Sequence, residues 1–296
     1  MAKLKVAFVI NPKSGTDKKT DRSALIRGLI SPDYESVIFD WNKLEDRDAI
    51  FAEVKNGGFD IALAAGGDGT VNQLADALSG TSTALGILPF GSGNGLARHL
   101  GISLKTDEAM HLVGSGKLVT MDRGLINGKS FFCTAGVGFD AHIGKLFAES
   151  STRGFSTYLQ MTLREFSNYK SEIYTISIDG KIIEREAFLI TAANAGQYGN
   201  NAWIAPAAIV NDGLLHLSIL KPFRWWNIPR LGSSMLSKKI FRSRFFESFT
   251  GKKIVITRNA QGPTHFDGEP DMMGTKLEIE IDPAALKILV PQHFTG

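Results

Sequence analysis

The sequence predicts two unlike domains: an α/β N-terminal domain on an open, mostly parallel sheet, then an all-β sandwich. Three observations predict this. The N-terminal part alternates short, wholly apolar runs with helical patterns, the order of strands and helices in an α/β sheet. Beyond about Met121 the texture changes to short alternating or apolar runs, parted by Asp179-Gly180, Asp212-Gly213 and Asn259-Ala260-Gln261-Gly262. That is the texture of antiparallel strands. The length, 296 residues, suits about two domains of roughly 150 residues each.

Taken in order, residues 4–10, 37–41, 61–65 and 85–89 read as buried strands, with helices over 18–30, 45–56 and 70–78. In the second part, 174–178, 214–220, 253–256 and 277–281 read as strands, and helical patterns interrupt them near 157–169 and 225–240. Composition is close to the globular average, with 43% hydrophobic and 21% charged residues, which excludes a disordered, collagenous or coiled-coil chain. A single cysteine, Cys133, excludes an internal disulfide and a cysteine-based zinc cage. It reads as a buried small residue and fits a reducing compartment. No apolar run reaches the ~18–20 residues a bilayer-spanning helix needs. The N-terminus reads as a first strand and not as a signal peptide, so a cytoplasmic location is expected.

Net charge is +3, too small to point to nucleic acid. The charge is local: residues 221–258 hold ten Lys or Arg against Glu247 alone, +9 there and −6 elsewhere. The six histidines show no ligand spacing and read as structural or surface residues.

Three of the first four strands run into loops suited to an anion: Asn11-Pro12-Lys13-Ser14-Gly15, Gly66-Gly67-Asp68-Gly69-Thr70 and Gly91-Ser92-Gly93-Asn94. Glycines let phosphate oxygens approach main-chain N–H groups, and a helix N-terminus adds its positive dipole end. A parallel sheet gathers ligands at the carboxyl ends of its strands. An acid inside such a loop would repel phosphate, so Asp68 is expected to orient Mg2+, a water or a substrate hydroxyl. The plainer reading is a tight turn with Asp68 as helix cap. A P-loop motif is absent, and the first loop lacks the dinucleotide fingerprint.

With these loops on the page, the sequence resembles the diacylglycerol kinase catalytic superfamily, which includes soluble bacterial lipid kinases and the sphingosine and ceramide kinases. The resemblance rests on Asn11 to Gly15; Gly66-Gly67-Asp68-Gly69-Thr70-Val71-Asn72; Leu88 to Asn94; Gly136-Val137-Gly138-Phe139-Asp140-Ala141; Ala205-Pro206 with Asn211 to Leu214; and Asp267-Gly268-Glu269. It implies an N-terminal domain like that of NAD kinases and phosphofructokinases, over 1–121 with 284–296. The chain near Leu286–Val290 would return to it, and 122–283 would form the sandwich. It also implies ATP-dependent phosphorylation of a lipid hydroxyl, diacylglycerol first and a sphingoid base or ceramide as the alternative. Asn11, Pro12, Lys13, Ser14, Gly15, Gly66 to Asn72, Ser92, Gly93 and Asn94 would contact ATP. Glu269 would be the base with Asp267 beside it. Asp212, with the carbonyls of Ile209 and Leu214, would hold a structural Mg2+.

The chain departs from the family pattern in three places. Trp41 or Asn42 stands where an ATP-contacting threonine is usual. Ser92 and Gly95 make the third loop more like the sphingosine and ceramide kinase version. Gly199-Asn200-Asn201 replaces a glycine triplet.

If residues 267–269 are extended, Asp267 and Glu269 share a face, so that one accepts the hydroxyl proton while the other binds Mg2+ or holds the first. The alternative is a surface Asp-Gly turn. Asp140 is expected either to contact the lipid head group or to cap the following helix. The basic stretch 221–258 is interleaved with Phe223, Trp225, Trp226, Phe241, Phe245 and Phe246, and part of it is expected to touch a membrane peripherally. Two other readings remain: a soluble-metabolite kinase of the NAD kinase type, and a lipid-binding protein without catalysis. The oligomeric state is open, a homodimer included.

Overall fold

The computed structural model describes residues 3–12, 21–41, 45–150 and 155–296. It divides into two compact units, Met1–Met121 with Ala284–Gly296, and Asp122–Pro283.

In the first unit β1 (Leu4–Ile10), α1 (Arg22–Leu29), β2 (Tyr34–Asp40), α2 (Asp46–Asn56), β3 (Ile61–Gly66), α3 (Asp68–Leu78) and β4 (Ala84–Pro89) alternate, followed by α4 (Gly95–His99) and α5 (Thr106–Ser115). The strands lie in the order β2-β1-β3-β4, all parallel. β3 and β4 are buried at every residue, as central strands covered on both faces must be. α3 buries Val71, Leu74, Ala75 and Leu78, spaced i, i+3, i+4, i+7 along one stripe. The first helix is shorter than the 18–30 expected, because Asp21 caps it by accepting the Ala24 N–H at 3.0 Å.

The second unit opens with β5 (Lys117–Ile126), β6 (Lys129–Phe131) and β7 (Thr134–Gly138), then α6 (Phe139–Glu149) and α7 (Phe155–Phe166). Next come β8 (Glu172–Ile178), β9 (Lys181–Ala187), β10 (Leu189–Ala193), β11 (Leu215–Leu220) and α8 (Ile228–Leu236). Last are β12 (Phe246–Gly251), β13 (Lys253–Thr257), β14 (Gly262–Phe266), β15 (Glu269–Met273) and β16 (Lys276–Val290).

Two antiparallel sheets result, β16-β13-β8-β9 and β12-β11-β10-β7-β14-β15. Their inner faces supply one core: Tyr174, Ile176, Ile254, Ile256, Leu277 and Ile279 from the first, Val137, Ile190, Leu215, Leu217 and Ile219 from the second. This is a sandwich. A second cluster, with Phe139, Ile143, Leu231 and Ile240, joins α6 and α8 to β10 and β11.

The helix read over 225–240 is broken. Trp225–Asn227 forms a 3-10 turn and Pro229 opens α8, as proline favours at a helix start. Lys238, at a φ of 59°, ends it. The strand read as 277–281 runs on to Val290, where Ile288 pairs in parallel with Leu85 of β4. No helix among the described residues is long and apolar enough to cross a membrane. Truncating Leu217, fully buried between the sheets, to alanine should cost about 2–5 kcal/mol, read as a lower urea midpoint.

Candidate active site

In the first unit the three loops at the carboxyl ends of β1, β3 and β4 are tied together by side chains. The Asn11 N–H donates to Ala65 O (3.0 Å) and its side-chain amide to Thr70 Oγ1 (3.0 Å). Arg22, buried, donates to the carbonyls of Asn11 and Pro12 and stacks its guanidinium on Phe90 at 5.1 Å. Lys13, Ser14 and Gly15 lie outside the described residues.

The glycine loops touch backbone to backbone. A Cβ on Gly91 would sit 2.7 Å from Gly67 Cα and 2.8 Å from Asn94 Oδ1, so the β4 loop tolerates no larger residue there, and one on Gly67 would be tight at 3.3 Å from Gly91 Cα. Asp68 supplies the lock. Its carboxylate accepts the N–H of Gly95 at 2.7 Å and of Asn94 at 3.0 Å. Asn94 holds its own turn through Gly91, accepting at 2.9 Å and donating at 2.7 Å, in a left-handed conformation.

The plainer reading of Asp68 as the helix cap is therefore corrected. The cap of α3 is Gly67, and the acid is committed first to holding the β4 loop against the β3 loop. Gly66, Thr70, Val71 and Asn94 are buried and shape the loops from inside. Gly67, Asp68, Gly69, Asn72, Ser92 and Gly93 are at least partly open. The first-turn N–H groups of α3 have no intrahelical partner and carry the positive end of its dipole, which suits a phosphate.

In the second unit the shared-face arrangement of Asp267 and Glu269 does not form. Phe266 pairs with Glu269 across the hairpin, leaving Asp267 (φ 47°) and Gly268 (φ 84°) as a two-residue turn, the conformation that Asp-Gly favours. Asp267 faces the β6–β7 connection, where its carboxylate accepts the N–H groups of Phe132 (2.7 Å), Cys133 (2.8 Å) and Thr134 (2.9 Å). Its own N–H donates to Thr134 O at 2.8 Å. Three main-chain N–H groups thus occupy this carboxylate. Glu269, the first residue past the turn, is exposed, and its carboxylate makes no hydrogen bond or ion pair to any described residue. The structure thus separates the two acids, Asp267 as the staple and Glu269 as the free carboxylate.

Asp140 stands in the first turn of α6 behind Gly138. Its Oδ1 accepts the Ala141 N–H at 2.8 Å. Oδ2 accepts from Tyr198 (2.7 Å) and Thr191 (3.2 Å) and lies 2.9 Å from His265 Nε2. Both side chains of the Asp140–His265 pair are under a tenth exposed. The acid is an internal hub, neither a simple cap nor an open head-group contact. His265, Tyr198 and Thr191 are invisible as a group in the sequence because two different strands, β14 and β10, and a loop deliver them. At Gly199-Asn200-Asn201 all three residues have positive φ, 109°, 48° and 62°, a region that asparagine tolerates best after glycine.

Among the described residues no group of three or more His, Cys, Asp or Glu could hold a metal. The ligand set expected at Asp212 needs only one acid. Asp212 Oδ1 accepts the Leu214 N–H at 3.0 Å, and Asp122, buried, accepts the Gly213 N–H at 2.7 Å. Asp212 Oδ2 lies 3.7 Å from His216 Nε2, beyond hydrogen-bond range, and that nitrogen is buried without a partner. Asp212 Oδ2 is thus left without a hydrogen bond, and a carboxylate oxygen of that kind suits a hard cation.

Replacing Asp267 by alanine should leave three amides without an acceptor and cost about 3 kcal/mol, whereas Glu269→Gln should leave the melting temperature unchanged. Differential scanning calorimetry of the two variants checks the division of labour.

Residues 5–126 match the diacylglycerol kinase catalytic domain, and residues 133–290 match the YegS C-terminal NAD kinase beta sandwich-like domain. A protein of Yersinia enterocolitica named "Probable lipid kinase YegS-like" is 30% identical over 238 residues, 78% of this chain and 79% of the relative. One of the same name from Pseudomonas aeruginosa is 32% identical over 254 residues, 83% and 82% of the two chains. The crystal structure of a diacylglycerol kinase from Bacillus anthracis has the same fold, with a TM-score of 0.77 at 21% identity over 98% of each chain. Glycine loops on a parallel sheet, an acid turn on a sandwich, and these matches along nearly the whole chain lead to one statement: the chain belongs to the YegS-like lipid kinase family, a diacylglycerol kinase catalytic domain joined to its β-sandwich partner.

Proposed function

We propose that this chain transfers the γ-phosphoryl group of ATP to the hydroxyl of a membrane lipid, with diacylglycerol as the acceptor. The observation that carries the reading is the unpartnered carboxylate of Glu269 beside a turn that Asp267 holds rigid.

The lipid hydroxyl oxygen attacks the γ-phosphorus, the bond from that phosphorus to the ADP oxygen breaks, and the hydroxyl proton passes to Glu269. Such a transfer asks the protein for positioning and charge stabilisation more than for covalent chemistry. The Asp68-locked loops give the phosphates their main-chain donors. Pre-organisation matters here because donors that are already fixed need no rearrangement as charge develops. Asp212, with the carbonyls of Ile209 and Leu214, would hold a Mg2+ whose contribution is to brace the 209–214 turn.

One observation favours diacylglycerol over a sphingoid base. An acid placed to receive an ammonium group would need an open acceptor, and Asp140 already takes an amide, two hydroxyls and an imidazole. A neutral glycerol hydroxyl makes no such demand.

The test is incubation with γ-labelled ATP and micellar diacylglycerol, sphingosine, ceramide and NAD+, followed by separation of the products. Label should enter diacylglycerol; label in NAD+ or in no acceptor would overturn the reading. Glu269→Gln should lower kcat about 10²–10⁴-fold while ATP binding, read by calorimetry, stays unchanged.

A further inference from the structure

The segment between β11 and β12 sorts its residues into two groups. Phe223, Leu231, Met235, Ile240, Phe245 and Phe246 pack into the cluster beneath α6 and α8. Facing outward are Trp225 (68% exposed), Leu236 (61%), Phe241 (59%) and Trp226 (53%). The basic residues divide in the same way. Lys221 pairs with Glu247 at 2.6 Å, which also holds Arg185 at 2.8 Å. Beyond the segment, after β13, Arg258 is buried and donates to the carbonyls of Gly262, Pro263, Met273 and Gly274. Arg224, Arg230, Lys238, Lys239, Arg242 and Arg244 are exposed, and none is paired with an acid among the described residues.

Within this segment lies a groove of ≈ 390 Å³. Arg224 and Arg244 line it along with Phe223, Trp226 and Phe245. Each guanidinium lies over an aromatic wall, Arg224 at 5.0 Å from Trp226 and Arg244 at 4.8 Å from Phe245. Stacking of this kind fixes the plane of an arginine while leaving its N–H edge open. Two fixed, uncommitted guanidinium groups at one groove suit a phosphate, which arginine binds in bidentate fashion.

We infer that this segment is the face with which the protein docks on an anionic lipid bilayer, the groove between Arg224 and Arg244 receiving a phospholipid phosphate. Charge complementarity selects the occupant. Six unpaired cations with no competing acid match an anionic surface. Exposed tryptophans beside them match the headgroup level, where an aromatic ring is apolar on its faces and wet at its edge. A protein partner would leave unexplained why tryptophan, phenylalanine and leucine are held out of water by nothing in the chain itself. The inference rests on the proposed lipid acceptor only for its purpose; the surface stands without it.

The test is flotation of the full chain with phosphatidylcholine vesicles and with vesicles that also contain phosphatidylglycerol. The chain should float only with the anionic vesicles, and less as salt rises. Tryptophan emission should shift to the blue on binding. Because Trp41 and Trp203 are buried, that shift should vanish in Trp225→Phe/Trp226→Phe. Arg224→Glu/Arg244→Glu should reduce vesicle partitioning at least tenfold, while Lys181→Glu, an exposed lysine on β9, should not.

Equal flotation with neutral and anionic vesicles, or full binding by the double arginine variant, overturns the inference. Binding competed away by millimolar inorganic phosphate would point to a free anion site and overturns it as well. Phosphorylation of a water-soluble short-chain diacylglycerol separates the two readings. If that activity exists but vesicle charge is ignored, the docking face fails alone. If anionic vesicles are bound but no lipid is phosphorylated, the kinase reading fails alone.

Discussion

Aspartate carboxylates that capture main-chain N–H groups hold the working parts of this protein in position. Asp68 takes the amides of Asn94 and Gly95; Asp267 takes those of Phe132, Cys133 and Thr134. Asp179 does the same at the far end of the sandwich, where it accepts from Lys252 and Lys253. A charged acceptor bonded to an amide is shorter and about twice as strong as a neutral pair. Each of these acids lies at a loop or turn, where strand ladders no longer satisfy the backbone. Loops that must present functional groups are thereby made nearly as fixed as the sheets that carry them.

This constraint orders the chemistry. In the first unit it presses two glycine loops together so closely that Gly91 admits no side chain, at the start of α3, where the helix dipole is positive. In the second unit it immobilises the Asp-Gly turn so that Glu269 projects from a rigid edge. A base on a mobile loop would spend most of its time out of reach of a hydroxyl, whereas a base on a hairpin stapled by three amides does not. Asp140 shows the same economy: its acceptors are filled by Thr191, Tyr198 and His265, which joins α6 to β10 and β14.

The basic segment follows a different rule. Its aromatic residues divide between a core that fixes the segment and an outer set left in water. Arginines stack on rings in place of pairing with acids. The one acid in the window, Glu247, is consumed by Lys221 and Arg185, so it does not neutralise the outward face.

Residue type and spacing alone determined the alternation of strands and helices in the first half, the glycine-bearing loops at the strand ends and the family, because glycine runs at strand ends and wholly apolar strands are local properties of the chain. The family resemblance placed Asp212, Asp267 and Glu269 among the residues of interest. Tertiary structure decided which acids are free. Asp267 and Glu269 are nearly equivalent in sequence, yet the amides that occupy Asp267 come from 133 to 135 residues away. Asp68 is likewise claimed by amides 26 and 27 residues on, and the group around Asp140 is gathered from β10, β14 and the loop holding Tyr198. A carboxylate's chemistry depends on what surrounds it, and those surroundings are assembled by the pairing of distant strands, which no local pattern records.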